Sequence, residues 1–230
     1  MGSLIKGGRE LIATKGLFIK KKRYAVLIFD KEGNRQDIKG KPGKVKAMGL
    51  DLKRSDTPKV VQDFLSEILL DVLTDAKRED VIEKVKDFKI KFQERPAWEK
   101  GTPKRVNNLT KYTAEEARLG KANMPGHVRA AMNWNNLRKM HSDNYSLAIT
   151  DGMKTIVCKL KQNPLGYTSV GYPTDESHIP AWFKELPFDD AAMEATVIDG
   201  KVDNLLGVLD WDLASATNTE NTFTSLFDFE

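Results

Sequence analysis

The sequence is poor in the residues on which most enzymatic chemistry depends. Its single cysteine, Cys158, excludes an internal disulfide, and the three histidines, His127, His141 and His178, are too scattered to join it in a zinc site. The phosphate loop GxxxxGK[ST] is absent, because KGKPGK at residues 39–44 has the right residue types at the wrong spacing. HExxH, paired CxxC and GxSxG do not occur either. No apolar run nears the roughly 18 to 20 residues that a membrane span requires, and the opening MGSLIKGGRE lacks the apolar stretch of a secretory signal. These absences predict a soluble intracellular protein with no catalytic residue and no metal ligand of its own. Acidic residues are plentiful, but they fall on the solvated faces of amphipathic helices. Asp189 and Asp190 stand where a helix begins, and its N-terminal dipole favours carboxylates without any metal.

What is present is enough apolar material for a core and a modest excess of positive charge. Of 230 residues 40% are hydrophobic, and 37 Lys and Arg face 33 Asp and Glu for a net charge of +4. So small an excess does not identify a nucleic-acid binder; local clustering decides. The densest cluster is FIKKKRYAVLIFD, residues 18–30. YAVLIF predicts a buried strand, the turn residues DKEGN follow it, and KGKPGKVKAMGLDL returns the chain as a hairpin. Cations at Lys20 to Arg23 would then be held on a rigid strand end, with successive side chains on opposite faces. Rigid cations suit the phosphates of a duplex, and lysines also suit the minor-groove acceptors that every base pair presents.

Two helices follow. SDTPKVVQDFLSEILLDVLTDA, with Thr57 as cap and Pro58 at the first helical position, repeats its apolar residues Val60, Val61, Phe64, Leu65, Ile68, Leu69, Val72 and Leu73 at helical spacing. REDVIEKVKDFKIKFQER turns Val81, Ile82, Val85, Phe88 and Phe92 inward until Pro96 stops it. Residues 101–134 mix turn residues, bases and amides and read as loops and short helices. SLAITDGMKTIVCKL predicts a hairpin about Asp151-Gly152, NPLGYTSVGYP a turn and short strand, and residues 181–206 short helices. The four tryptophans read as core residues, because bases within a duplex offer no face for stacking. The fold class is α+β, with a Thr/Asn/Ser-rich tail that reads as flexible.

Several of these segments carry a resemblance. Lys21-Lys22-Arg23-Tyr24 ahead of an apolar strand resembles the KKRY element at the palm-to-thumb junction of family B DNA polymerases, where it contacts the new duplex. In the same order, AMGLDLKRSDTPKVVQDFL is similar to the family's "IMG…SSTPK", NNLTKY to "NDIAKY", PGHVRAAMNWN to "PFHIRGVLTYN", and DGMKTIVCKLKQNPLGY to "DGxKVxVLPLxxxNPFG". TSLFDF resembles the clamp-binding C-terminus of the T-even-type phage members. Each motif alone is weak, and their common order carries the resemblance. It implies a palm-edge β-hairpin over 1–54, a mostly helical thumb over 55–214, and a tail over 215–230 that binds a sliding clamp through Leu226, Phe227 and Phe229. Lys21, Lys22, Arg23, Tyr24, Arg105, Asn108, Lys111, Tyr112, His127 and Arg129 are the implied duplex contacts.

The family's aspartate motifs, "DxxSLYP" and "YGDTDS", are missing, as are its fingers and exonuclease. Magnesium and the chemistry of nucleotidyl transfer are therefore expected on another chain, with this one inactive alone, as a split subunit or a fragment. The expected partners are primer-template duplex, an upstream palm-and-fingers fragment and a sliding clamp, in the cytoplasm of an infected bacterium. Two other readings remain open at this point: a clamp-binding adaptor, and a stand-alone duplex-binding protein.

Overall fold

The computed structural model describes residues 2–6, 9–119 and 123–211, and shows an α+β protein built from antiparallel sheets and helices. The chain divides into two units, one of residues 1–54, 59–90 and those from 199 onward, the other of 55–58 and 91–198.

In the first unit the apolar run at residues 24–29 lies in β3 (Arg23–Lys31), as its composition predicts. Ala25, Val26, Leu27 and Ile28 are 0% to 6% exposed, so the strand is covered on both faces. Its neighbours come from the same chain. β2 (Arg9–Lys20) pairs with it on one side and β5 (Lys44–Met48) on the other, while β1 (Gly2–Lys6) lies outside β2 and the short β4 (Asn34–Arg35) pairs near the end of β3. The predicted return through residues 39–52 is β5. The long β2 was not legible, because RELIATKGLFIK interrupts its apolar residues with charge and a glycine.

The turn between β2 and β3 differs from the expected strand end. Lys20 pairs with Arg23, leaving Lys21 and Lys22 as the two turn residues, and the register slips between Phe18 and Lys20. Such a bulge re-aims the side chains that follow it. Lys22 holds a positive φ of 65°, a region that few non-glycine residues enter.

The two predicted helices are α1 (Lys59–Leu73) and α2 (Arg78–Gln93). Val61, Phe64, Leu65, Ile68, Leu69 and Leu73 of α1 are buried, and burial of each such side chain contributes roughly 1.5 to 3 kcal/mol. Phe64 stacks on Phe88 of α2 with centroids 3.8 Å apart, and Lys84 of α2 pairs with Asp71 of α1, so the two helices form a hairpin.

In the second unit α3 (Ala97–Lys100) leads into β6 (Thr102–Arg105), and α4 (Ala114–Leu119) precedes α5 (Gly126–Met140). β6, β7 (Lys154–Lys159) and β8 (Ser169–Pro173) form an antiparallel sheet in that order. α5 is laid close against β8. A Cβ at Gly171 would stand 3.2 Å from the amide nitrogen of Ala131, so glycine permits the contact. Trp134 of α5 is wholly buried and meets Tyr172 and Phe183 edge-on at 5.7 and 5.3 Å. Trp98 and Trp182 pack against the same core, in agreement with the reading of these rings as structural.

Two expectations fail here for one reason. Residues 126–140 form a single long helix, although loops and short helices were expected as far as residue 134, and residues 146–150 are not a strand. The amide-rich stretch NWNN is a poor intrinsic helix former, but its side chains do the bonding that a strand partner would. Asn135 accepts from the Ile149 amide and donates to the Ile149 carbonyl, both at 2.8 Å, Trp134 Nε1 donates to Leu147 O at 2.9 Å, and Asn133 donates to Ser169 O at 2.8 Å. Short helices follow at α6 (Ala181–Lys184) and α7 (Asp190–Glu194), then a π-helical turn (Ala195–Asp199) leads into α8 (Gly200–Leu206) in the first unit. Asp189 caps α7 by accepting from Ala192 N at 3.0 Å, the role its position predicts.

Candidate nucleic-acid interface

The basic cluster of the first unit is the tip of a hairpin. Lys20, Lys21 and Lys22 are exposed, and among the described residues their side chains have no ion-pair or hydrogen-bond partner. Cations left so unneutralised at a sharp, sheet-anchored turn form a concentrated positive feature. Phe18 beside them is 65% exposed and stacks on Tyr24 with centroids 6.1 Å apart. Arg23 departs from its lysine neighbours. It is half-buried, and its Nη2 lies 3.9 Å from Asp51 Oδ2.

Sequence reasoning passed over what surrounds Arg23. Asp51 sits within the quoted AMGLDLKRSDTPK segment without an assigned role, and Lys201 reads as an ordinary surface base. In the structure the Lys201 side chain is only 14% exposed and its Nζ is 3.8 Å from Asp51 Oδ1. No sequence spacing links residues so far apart.

The second unit gathers the other predicted residues around two turns. Arg105 ends β6 and donates from Nη1 to Gly152 O at 2.9 Å, while Asp151 accepts from the Leu109 amide at 2.6 Å. The Asp-Gly turn therefore ties down both Arg105 and the turn at Leu109–Lys111. Asn108, at φ 61°, starts that turn, and Lys111 is exposed beside it. Leu109 and Tyr112 pack against Met124, Val128 and Met132, which brings Lys111 and Tyr112 to the same part of α5 as His127 and Arg129. Tyr112 Oη donates to Asn123 O at 3.4 Å.

His127 lies one residue inside the N-terminus of α5, whose cap is Pro125. Burial, and then the positive charge of Lys104, lower its pKa below the ordinary value, so its imidazole is neutral near pH 7. Lys104 pairs with Asp56 at 3.1 Å. With Arg105, Lys111 and Arg129 the region offers cations, amides and a helix N-terminus, the groups that hold phosphate. Leu226, Phe227 and Phe229 lie outside the described residues. Among the described residues no group of three or more His, Cys, Asp or Glu is placed to hold a metal ion. No helix among them is long and apolar enough to cross a membrane.

Residues 8–162, two thirds of the chain, match the model of DNA polymerase family B. The chain belongs to that family. It is 29% identical over 160 residues to a DNA-directed DNA polymerase of Enterobacteria phage T4 and 30% identical over 160 residues to one of Escherichia phage RB69. Each match covers 69% of this chain but 17% of the relative, so the family B segment spans about a sixth of the length of these relatives. The matched region contains the lysine turn, the Leu109–Lys111 turn and α5.

Proposed function

We propose that this family B chain is the palm-edge and thumb portion of a DNA-directed DNA polymerase, which grips primer-template duplex during replication in the cytoplasm of an infected bacterium. The observation that carries the reading is the unpartnered lysine turn, Lys20 to Lys22, anchored between two long strands within the segment that matches the family. Lysine ammonium groups there meet phosphates and the purine N3 and pyrimidine O2 acceptors common to all base pairs, so they sense pair shape and not base identity. Arg105, Asn108, Lys111, Tyr112, His127 and Arg129 form a further phosphate-binding surface. Tyr24 supports the turn by stacking on Phe18.

The reaction belongs to a partner fragment bearing the catalytic aspartates, to which magnesium would supply its two-metal phosphoryl chemistry. This chain's residues bind and orient the product duplex. Leu226, Phe227 and Phe229 provide the tether: each apolar side chain buried in a clamp groove contributes roughly 1.5 to 3 kcal/mol before ordering costs. Combined with duplex held by the lysines, even modest clamp affinity gives long residence through effective concentration. The test is complementation. Mixed with an upstream palm-and-fingers fragment of a T-even-type polymerase, the chain should restore primer extension. No extension from a mixture in which both fragments are folded would refute the reading.

A further inference from the structure

Asp51 is approached by four nitrogen-bearing side chains. Arg23 Nη2 lies 3.9 Å from Oδ2, Arg54 Nε 3.7 Å and Lys201 Nζ 3.8 Å from Oδ1, and Asn204 Nδ2 donates to Oδ2 at 3.4 Å. The carboxylate is only 12% exposed, so its field is little screened by water. Arg23, Asp51, Lys201 and Asn204 line one small cavity whose other walls are leucines, and all of them belong to the first unit. One half-buried carboxylate thus gathers the base of the lysine turn, the segment after β5, and α8.

A second contact bears on the same turn. Gly49, two residues before Asp51, has a φ of +67°, and a Cβ there would stand 2.2 Å from the carbonyl oxygen of Lys22 and 3.0 Å from Arg23 Cγ. The backbone leading to Asp51 therefore lies directly against the turn. It does so where Lys22 holds its own positive φ, a conformation that persists when the surroundings over-determine it.

We propose that Asp51 is the positioning residue of the basic turn. It fixes Arg23 at the foot of the hairpin and, with the Gly49 backbone pressed on Lys22, holds Lys21 and Lys22 in the geometry that meets the duplex. Arg23 is then part of the brace, not of the binding surface. Lys201 extends the brace to α8, beyond the residues that match the family. The inference rests on the duplex-binding reading of the turn.

The sign of one substitution separates this from a simple charge effect. Asp51 is a negative group close to cations that attract a polyanion. If it acted through its field alone, the isosteric Asp51→Asn would bind duplex more tightly. As a positioning residue its loss weakens binding several-fold in the full chain, Asp51→Glu restores most of that loss, and Asp51→Asn adds nothing in a Lys21→Ala/Lys22→Ala background because the two act as a unit. Amide hydrogen exchange supplies the readout that needs no DNA: in Asp51→Asn the amides of Arg23 and Tyr24 exchange faster, while those of β7 and the buried face of α1 do not. Equal or tighter duplex binding by Asp51→Asn, or unchanged exchange at the turn, overturns the proposal. If the unsubstituted chain fails to bind duplex, the functional reading fails, and the exchange result alone decides whether Asp51 positions the turn.

Discussion

Replacing Lys21 and Lys22 together by alanine is the most quantitative perturbation that the structure offers. Both side chains are exposed and unpartnered among the described residues, so their removal leaves the fold within about 0.5 kcal/mol of its original stability. Each phosphate neutralised by a lysine contributes about 0.9 to the slope of log affinity against log salt, so the pair contributes about 1.8. Over a fourfold rise in salt the unsubstituted chain should therefore lose about twelvefold more affinity than the double variant. Fluorescence anisotropy with a labelled primer-template at several salt concentrations measures both quantities. Contacts made in the minor groove would instead lower affinity at every salt concentration with a smaller change of slope. Identical affinity and slope for the two proteins would refute the assignment of these lysines to DNA.

Other consequences are simpler to state. Gly49→Ala should destabilise the first unit by about 2 kcal/mol, from a strained positive φ and an overlap with the Lys22 carbonyl that only backbone movement relieves, and thermal unfolding within 0.5 kcal/mol of the parent would contradict this. Lys100 is 3% exposed at its side chain, donates to Gln93 O at 3.0 Å and forms an ion pair with Asp190, so Lys100→Ala should cost about 2 kcal/mol, less than for a fully buried pair because Asp190 keeps contact with water; calorimetry checks it. His127 has a lowered folded-state pKa, so the unfolded chain binds the proton more readily. Stability contributed by neutral His127 is complete above its ordinary value near 6.5 and falls as pH drops towards the folded value, so His127→Asn should flatten the melting temperature between pH 7 and 5.5. Deleting residues 225–230 should abolish clamp binding in a pull-down while leaving duplex affinity unchanged, and retention of the clamp would remove the tether from the account.

The elements with local signatures were legible before the structure. α1 and α2 repeat apolar residues at helical spacing, β3 is a short apolar run, and Asp189 stands where a cap belongs. What escaped was held together from elsewhere. α5 contains NWNN, whose amides disfavour an isolated helix but bond Ile149 and Ser169 in the folded unit. Residues 146–150 have β-prone composition, yet those same side chains occupy the places that a neighbouring strand would fill. At the candidate interface the KKRY residues were visible as a cluster, while their separation into an exposed lysine tip and an inward Arg23 depends on a bulge near Lys20 and on Asp51. The convergence of Lys201 on Asp51 follows from the return of α8 to the first unit, which no local pattern announces.

The central claim is that the Lys21–Lys22 turn touches double-stranded DNA just behind a growing primer end. Cysteine placed at position 22 in a Cys158→Ser background, where Cys158 itself is buried, carries a photo-crosslinker to the turn. With the complementing catalytic fragment and a primer-template of defined length, the account predicts crosslinks to the duplex within the few base pairs nearest the primer terminus, shifting one position with each nucleotide added. Crosslinks confined to single-stranded template, or spread along the duplex without following the primer end, would contradict it.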